Sequence, residues 1–250
     1  MKKKAAILTS ALLLSMASLA KADSITISAA SSLGDAFTEI SDNFTNKTGI
    51  KVSLNFASSN ALLRQIEGGA PVDIFATADQ MTMDSAAQKS LLIPESRHNF
   101  ALNELVLITP TNAEKIKDLK ILTEAKIKLI AVGKPDSVPA GRYARSALLA
   151  VSLWKELEHK FIFSNNVRQA LSYVQRGEVD AGIVYRTDAL SMPDKVSICL
   201  TLKNHEPVSY PIALLKESQN KKSAEKFIEY IFSEYGQDTL RKYGFTPLKK

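Results

Sequence analysis

The sequence predicts an α/β fold built on mostly parallel sheets covered by helices. Three observations carry this. Short β-type runs alternate with amphipathic helical stretches from residue 25 to 235. Several of the runs are apolar throughout, as strands covered on both faces are. Small hydroxyl residues recur where a strand hands over to a helix.

In chain order, residues 25–29 read as a strand and 34–47 as a helix closed by Gly49. Residues 51–56 are a strand and 59–67 a helix stopped by Gly68-Gly69. Residues 73–77 are a strand and 80–90 a helix. A strand over 105–109 ends at Pro110, and another covers 128–132. The stretch 139–151 sets Ala140, Ala144, Ala147, Leu148 and Val151 at helical spacing. Residues 165–176 do the same with Val167, Ala170, Leu171 and Val174. A buried strand follows over 179–185, and residues 208–215 are the last strand. The stretch 221–235 aligns Ala224, Phe227, Ile228, Ile231, Phe232 and Tyr235 on one helical face. No internal repeat, low-complexity tract or Gly/Ser linker interrupts the pattern.

The first residues set the compartment. Lys2, Lys3 and Lys4 precede an apolar, small-residue stretch over 5–19 that is too short for a membrane span. Ala20-Lys21-Ala22 fits a signal-peptidase site, so residues 1–22 are expected to be a signal peptide cleaved after Ala22, with export to the periplasm. Removing them takes away four lysines and no acid. The remaining balance is 28 basic residues against 26 acidic, so the net +6 of the full chain overstates the working charge. That excludes a basic nucleic-acid footprint. The single Cys199 has no partner for an internal disulfide and is expected as a buried small apolar group. The mature length suits one large domain or two of about 100 residues each.

Chemistry-bearing motifs are few. His98, His159 and His205 are scattered among charged residues, and no G-x-S-x-G, H-E-x-x-H, paired Cys, Walker loop or G-x-G-x-x-G is present. Asp73, Asp79, Asp180 and Asp188 are separated by whole elements and read as caps and loop acids rather than as a metal cluster. No catalytic residue, cofactor or bare metal cation is expected. A secreted serine-dependent hydrolase would need a base and an orienting acid that no motif supplies. A ligand-sensing domain of a transcription regulator would need a DNA-binding module.

The informative feature is a pair of serine junctions. Ser28-Ala29-Ala30-Ser31-Ser32-Leu33-Gly34 is one and Asn55-Phe56-Ala57-Ser58-Ser59-Asn60-Ala61 the other. The first N–H groups of a helix lack an intrahelical acceptor and carry the positive end of its dipole. With Ser hydroxyls added they make a neutral seat for an anion. Such serines also serve as plain N-caps. Two junctions of one kind, with further helix starts at Val138-Pro139-Ala140-Gly141 and Asn165-Asn166-Val167-Arg168, favour the seat. Tyr185, at the end of a strand, adds a phenol. Its alternative is a core tyrosine with a satisfied hydroxyl. Arg64, Arg142 and Arg168 lie near these segments and are expected mainly as solvated or lobe-surface charges, contact of one of them with the anion being the lesser alternative.

These pieces carry a resemblance. Ala29-Ala30-Ser31-Ser32-Leu33, Phe56-Ala57-Ser58-Ser59 and Gly69-Ala70-Pro71-Val72-Asp73-Ile74-Phe75-Ala76-Thr77-Ala78-Asp79 resemble segments of the periplasmic molybdate-binding proteins of bacterial ABC importers. So do Val138-Pro139-Ala140-Gly141-Arg142-Tyr143-Ala144, Val167-Arg168-Gln169-Ala170-Leu171, Gly182-Ile183-Val184-Tyr185 and Tyr243-Gly244-Phe245. Gly34-Asp35 departs from the Thr-Asn often found after Ser-Leu in that family. The resemblance implies a two-lobed class II periplasmic binding protein with the ligand between its lobes. Residues 23–105 plus 208–250 would form lobe one and 106–207 lobe two. It implies oxyanion contacts from the hydroxyls of Ser32, Ser59 and Tyr185 and from the backbone N–H groups of Ala140 and Val167. The implied ligand is molybdate or tungstate, the implied partner is a membrane permease, and the expected state is a monomer. Five neutral donors suit a fully deprotonated tetrahedral dianion and disfavour phosphate, whose proton would meet another donor. They leave molybdate, tungstate and sulfate open.

Overall fold

The period-two runs and the three- and four-residue spacings resolve into two sheets, each covered by helices on its faces. A computed structural model describes residues 23–249, so the signal-peptide segment lies outside the described residues. The elements are β1 (Ser24–Ala30), α1 (Gly34–Thr48), β2 (Lys51–Ala57), α2 (Ser59–Glu67), β3 (Ile74–Ala76) and α3 (Gln80–Gln88). Then come β4 (His98–Asn103), β5 (Leu105–Pro110), β6 (Ile130–Gly133), α4 (Pro139–Ala150) and α5 (Trp154–Leu157). β7 (Phe161–Ser164), α6 (Val167–Gln175), β8 (Ala181–Tyr185), α7 (Arg186–Leu190) and β9 (Val196–Thr201) follow. The chain closes with β10 (Val208–Leu214), α8 (Lys221–Ile231), α9 (Glu234–Lys242) and β11 (Thr246–Pro247).

The first sheet has six strands in the order β11-β4-β10-β3-β1-β2, and the second has five in the order β7-β6-β8-β5-β9. The expectation of mostly parallel sheets needs correction, because both are mixed. β1 pairs in parallel with β2 and β3, and β6 with β7 and β8. In the first sheet β10 pairs antiparallel with β3 and β4, and β11 with β4; in the second β5 pairs antiparallel with β8 and β9. The reason lies in the connections. Helical crossovers separate the parallel neighbours, whereas each antiparallel pair joins strands that are not consecutive in the chain, β10 inserting between β3 and β4 and β5 between β8 and β9. The chain leaves the first sheet for the second between β4 and β5, through Glu104 alone. It returns over residues 202–207 between β9 and β10.

Packing follows from the spacing. α1 turns Phe37, Ile40 and Phe44 inward, and Phe37 meets Phe100 of β4 at 5.6 Å between ring centroids. Phe44 meets Phe227 of α8 at 5.2 Å, edge to face. Each such burial contributes about 1.5–3 kcal/mol. Gly49 ends α1 in the left-handed conformation at φ 74°, where a side chain would be strained. α2 and α3 cover the opposite face, with Leu62, Ile66 and Met83 in one apolar cluster with Phe75 of β3. In the second sheet β5, β6 and β8 are buried nearly throughout, and α4 and α6 supply Ala144, Leu148, Ala170 and Val174 to the same core.

Several elements escaped the sequence pattern. β4, β7 and β9 mix polar and half-exposed residues, and the last two are edge strands. The single helix expected over 221–235 is two, broken at Phe232-Ser233. The Ser233 hydroxyl accepts from Gly236 N–H at 3.2 Å and starts α9. Gly236 is required there, since a Cβ would stand 2.4 Å from the Tyr230 carbonyl oxygen. Cys199 is half-buried rather than buried, with Sγ 3.4 Å from Thr109 Oγ1.

Candidate functional site

Parallel pairing decides where the candidate residues go. β1, β2 and β3 point the same way, so their carboxyl ends deliver the turns that start α1, α2 and α3 to one edge of the first sheet. β6, β7 and β8 do the same in the second sheet for α4, α6 and α7. The two edges face each other. Asn60 Nδ2 donates to the Asp136 carbonyl at 2.9 Å, and the Tyr185 hydroxyl to the Ala78 carbonyl at 3.4 Å.

Ser32 lies in a 3-10 turn, Ser31–Leu33, between β1 and α1. Ser59 is the first residue of α2. Both are buried. Plain capping does not account for either junction. The cap positions before the turn and before α1 are Ala30 and Leu33, and Ser58 caps α2 without a side-chain hydrogen bond. Ser59 Oγ instead accepts from Ala78 N–H at 3.1 Å, across from β3 to α2. Ser32 Oγ lies 2.9 Å from the Tyr210 hydroxyl. Tyr210 in turn packs edge to face on Tyr185, with centroids 5.9 Å apart. A continuous run of contacts therefore joins Ser32, Tyr210, Tyr185, Ala78 and Ser59.

Tyr185 is a buried strand end, and among the described residues its hydroxyl makes the long contact to the Ala78 carbonyl. Burial holds its phenol well above the ordinary tyrosine value, so it stays protonated and can donate. Its backbone N–H is held by Asp188 Oδ2 at 3.2 Å, which fixes the start of α7.

The backbone candidates stand at helix starts. Pro139 occupies the first turn of α4, and Ala140 follows it, where helix geometry leaves the N–H without an intrahelical acceptor. Gly141 explains how close this turn comes to β6. A Cβ there would lie 1.9 Å from the Gly133 carbonyl oxygen. Val167 opens α6, capped by Asn166 Oδ1 accepting from Gln169 N–H at 2.9 Å. α6 packs against the turn that carries Ser32.

The arginines correct the expectation of solvated charges. Arg64 is exposed as expected. The Arg142 side chain is 17% exposed and pairs with Asp79 at the start of α3, with Nε 3.0 Å from Oδ2. It also donates to Thr82 Oγ1 at 3.0 Å. The Arg168 side chain, 24% exposed, holds Asp188 on its own side at 2.6 Å and Asp35 of α1 at 2.7 Å. Both guanidinium groups thus bridge the sheets and are occupied by carboxylates. Asp79 and Asp188 act as the expected helix-start acids, accepting from Thr82 N–H and Tyr185 N–H, and carry these pairs as well. Asp73 and Asp180 accept backbone N–H groups from Thr26, Lys128 and Leu129.

Sequence reasoning missed Tyr210 and Asn103. Asn103 Nδ2 donates to Thr187 Oγ1 at 2.9 Å and to the Tyr210 hydroxyl at 3.2 Å. Tyr210 sits in an apolar strand run and reads as core, and its partner Ser32 is 178 residues away. No local signal marks such a pair.

A two-sheet molecule joined at two strand crossings, with helix starts and hydroxyls turned toward the seam, is the plan of a solute-binding protein. Residues 25–246 match the family model for the bacterial extracellular solute-binding protein, and the chain belongs to that family. It is 37% identical over 235 residues to the molybdate-binding protein ModA of Escherichia coli, covering 91% of both chains. To ModA of Haemophilus influenzae it is 34% identical over 253 residues, covering 98% of this chain and 99% of the other. The fold is similar to that of the Azotobacter vinelandii periplasmic molybdate-binding protein, with a TM-score of 0.80, 22% identity, and coverage of 90% of this chain and 100% of the other.

Proposed function

We propose that the protein is the receptor of an ABC importer that captures molybdate, and tungstate with it, outside the cytoplasmic membrane and delivers it to the permease. The anion is held by the hydroxyls of Ser32, Ser59 and Tyr185 and by the N–H groups of Ala140 and Val167. It acts as a periplasmic monomer beginning at Asp23, with residues 23–105 plus 208–250 as one lobe and 106–207 as the other. No cofactor takes part, and the anion leaves unchanged.

One observation carries this reading: two buried serine hydroxyls and a protonated buried phenol meet at the seam between the sheets, while both nearby guanidinium groups are held by carboxylates. Donors without a free cation suit a dianion that has no proton to give. The ModA relatives, named for molybdate binding, support the choice within that class. The sheet membership of the strands supports the division into lobes.

Calorimetric titration with molybdate, tungstate, sulfate and phosphate tests it. Tight binding of molybdate and tungstate is expected, with phosphate far weaker. A preference for sulfate would move the protein to another oxyanion. Hydrolysis of an ester, lost in a Ser32→Ala variant, would make it an enzyme. Intact mass of exported protein checks the start at Asp23, and a chain still carrying Met1 would contradict it.

A further inference from the structure

We infer that Tyr210, held by Asn103, fixes Ser32 as a donor and so selects oxyanions that carry no proton. This rests on the anion seat proposed above and assigns a specificity role to two residues outside it.

The argument is one of hydrogen-bond direction. Asn103 cannot be turned over, because Glu104 N–H donates to its Oδ1 at 2.8 Å. Its Nδ2 therefore faces Tyr210 and Thr187. An amide N–H only donates, so the Tyr210 oxygen accepts from Asn103. The Tyr210 proton must go elsewhere. The ring is fully buried among Phe100, Tyr185 and Phe245, and the other oxygen within hydrogen-bond distance is Ser32 Oγ. Tyr210 thus donates to Ser32.

Ser32, having accepted there, still has its own proton to place. The side chain is buried, and an unsatisfied buried hydroxyl is costly. Its proton is satisfied by pointing into the seat, at an anion oxygen. The opposite polarity, with Ser32 donating to Tyr210, would leave the Tyr210 proton buried without a partner. Burial also holds the Tyr210 phenol well above its ordinary value, so the proton remains in place at working pH. Asn103, Tyr210 and Ser32 then form an aligned relay, and each bond polarises the next. Ser59 is set in the same sense by the backbone, through Ala78 N–H. Of these two settings only the one at Ser32 depends on a side chain and can be changed by substitution. A hydrogen phosphate meeting this face brings donor against donor.

The experiment measures molybdate binding by calorimetry at neutral pH and phosphate binding by its displacement of molybdate. It uses the full exported chain, the Tyr210→Phe variant, and the same substitution in a Ser32→Ala background. Tyr210→Phe keeps the ring and removes the relay. Molybdate affinity should fall about 10-fold, the loss of one ordinary hydrogen bond's contribution. Phosphate should displace molybdate more readily, because Ser32 is then free to accept. In the Ser32→Ala background the substitution should change neither quantity, which a packing role for Tyr210 would not produce. Asn103→Ala is the second arm. It leaves Tyr210 free to accept from Ser32, and discrimination should shrink again with the ring intact. Equal losses for both anions in both variants, or unchanged discrimination, would overturn the proposal while leaving the seat standing. Wild-type protein that binds no molybdate would instead overturn the seat itself.

Discussion

At the scale of single residues, hydroxyl direction matters more than charge. Ser32, Ser59 and Tyr185 each bring one proton to the seam, and the Arg142 and Arg168 guanidinium groups there are paired with carboxylates. Removing one donor to a charged acceptor costs roughly 1.5–3 kcal/mol, so Ser32→Ala, Ser59→Ala or Tyr185→Phe should each lower molybdate affinity about 10- to 100-fold. Ser31→Ala should do less. Calorimetry on variants with unchanged circular dichroism checks this, and a larger loss at Ser31 than at Ser32 would mean that the wrong serine carries the contact. The candidate residues were legible because strand-to-helix junctions rich in Ser and Asn mark themselves locally. Tyr210 and Asn103 were not, since their role exists only through partners brought together from distant parts of the chain. A sequence shows the charge of Arg142 and Arg168 but not the carboxylates that face them in the fold.

At the scale of elements, the start of α7 carries a buried acid whose titration is shifted. Asp188 accepts from Tyr185 N–H, pairs with Arg168 and is fully buried. Burial outweighs Arg168 and pushes its carboxyl up to about 6. The unfolded chain would titrate it near 3.9. Between those values the folded protein holds the proton better than the unfolded one, so this group's contribution to stability falls as pH rises from about 4 to 6 and is level above. Asp188→Asn removes the titration. Melting temperature followed against pH should therefore show the wild type losing stability relative to Asp188→Asn across that window. A constant difference would mean that Asp188 ionises normally. Element boundaries were legible where an apolar period ran into a glycine stop, as in α1 and α2, or began at an Asn cap, as in α6. Edge strands β7 and β9 were not, because half-exposed strands carry no clean alternation. The division of α8 from α9 turns on one Ser and one glycine contact that periodicity ignores.

At the scale of the whole molecule, the alternation of strands and helices gave the α/β class, and the resemblance supplied the two-lobed plan. The antiparallel strands were not legible, because β5 and β10 pair with strands far from them in the chain. The seam is bridged by Arg142 with Asp79, Arg168 with Asp35, Asn60 with Asp136, and Tyr185 with Ala78. An anion touching both sides binds the closed arrangement better than an open one and must shift the population toward it. X-ray scattering should then show a smaller radius of gyration when molybdate is added, and Ser32→Ala with Ser59→Ala should abolish the change. Tight binding without compaction would remove closure from the mechanism. Melting should rise by about 10 °C at a molybdate concentration about 1,000 times the dissociation constant.

The central claim is that one oxyanion sits at the meeting point of five named donors. A crystal grown with molybdate and measured at the molybdenum absorption edge tests it directly. The account predicts a single strong anomalous peak whose oxygens lie within hydrogen-bond distance of the Ser32, Ser59 and Tyr185 hydroxyls and the Ala140 and Val167 N–H groups. A peak elsewhere, or one coordinated by Arg142 or Arg168 in place of those donors, would contradict it.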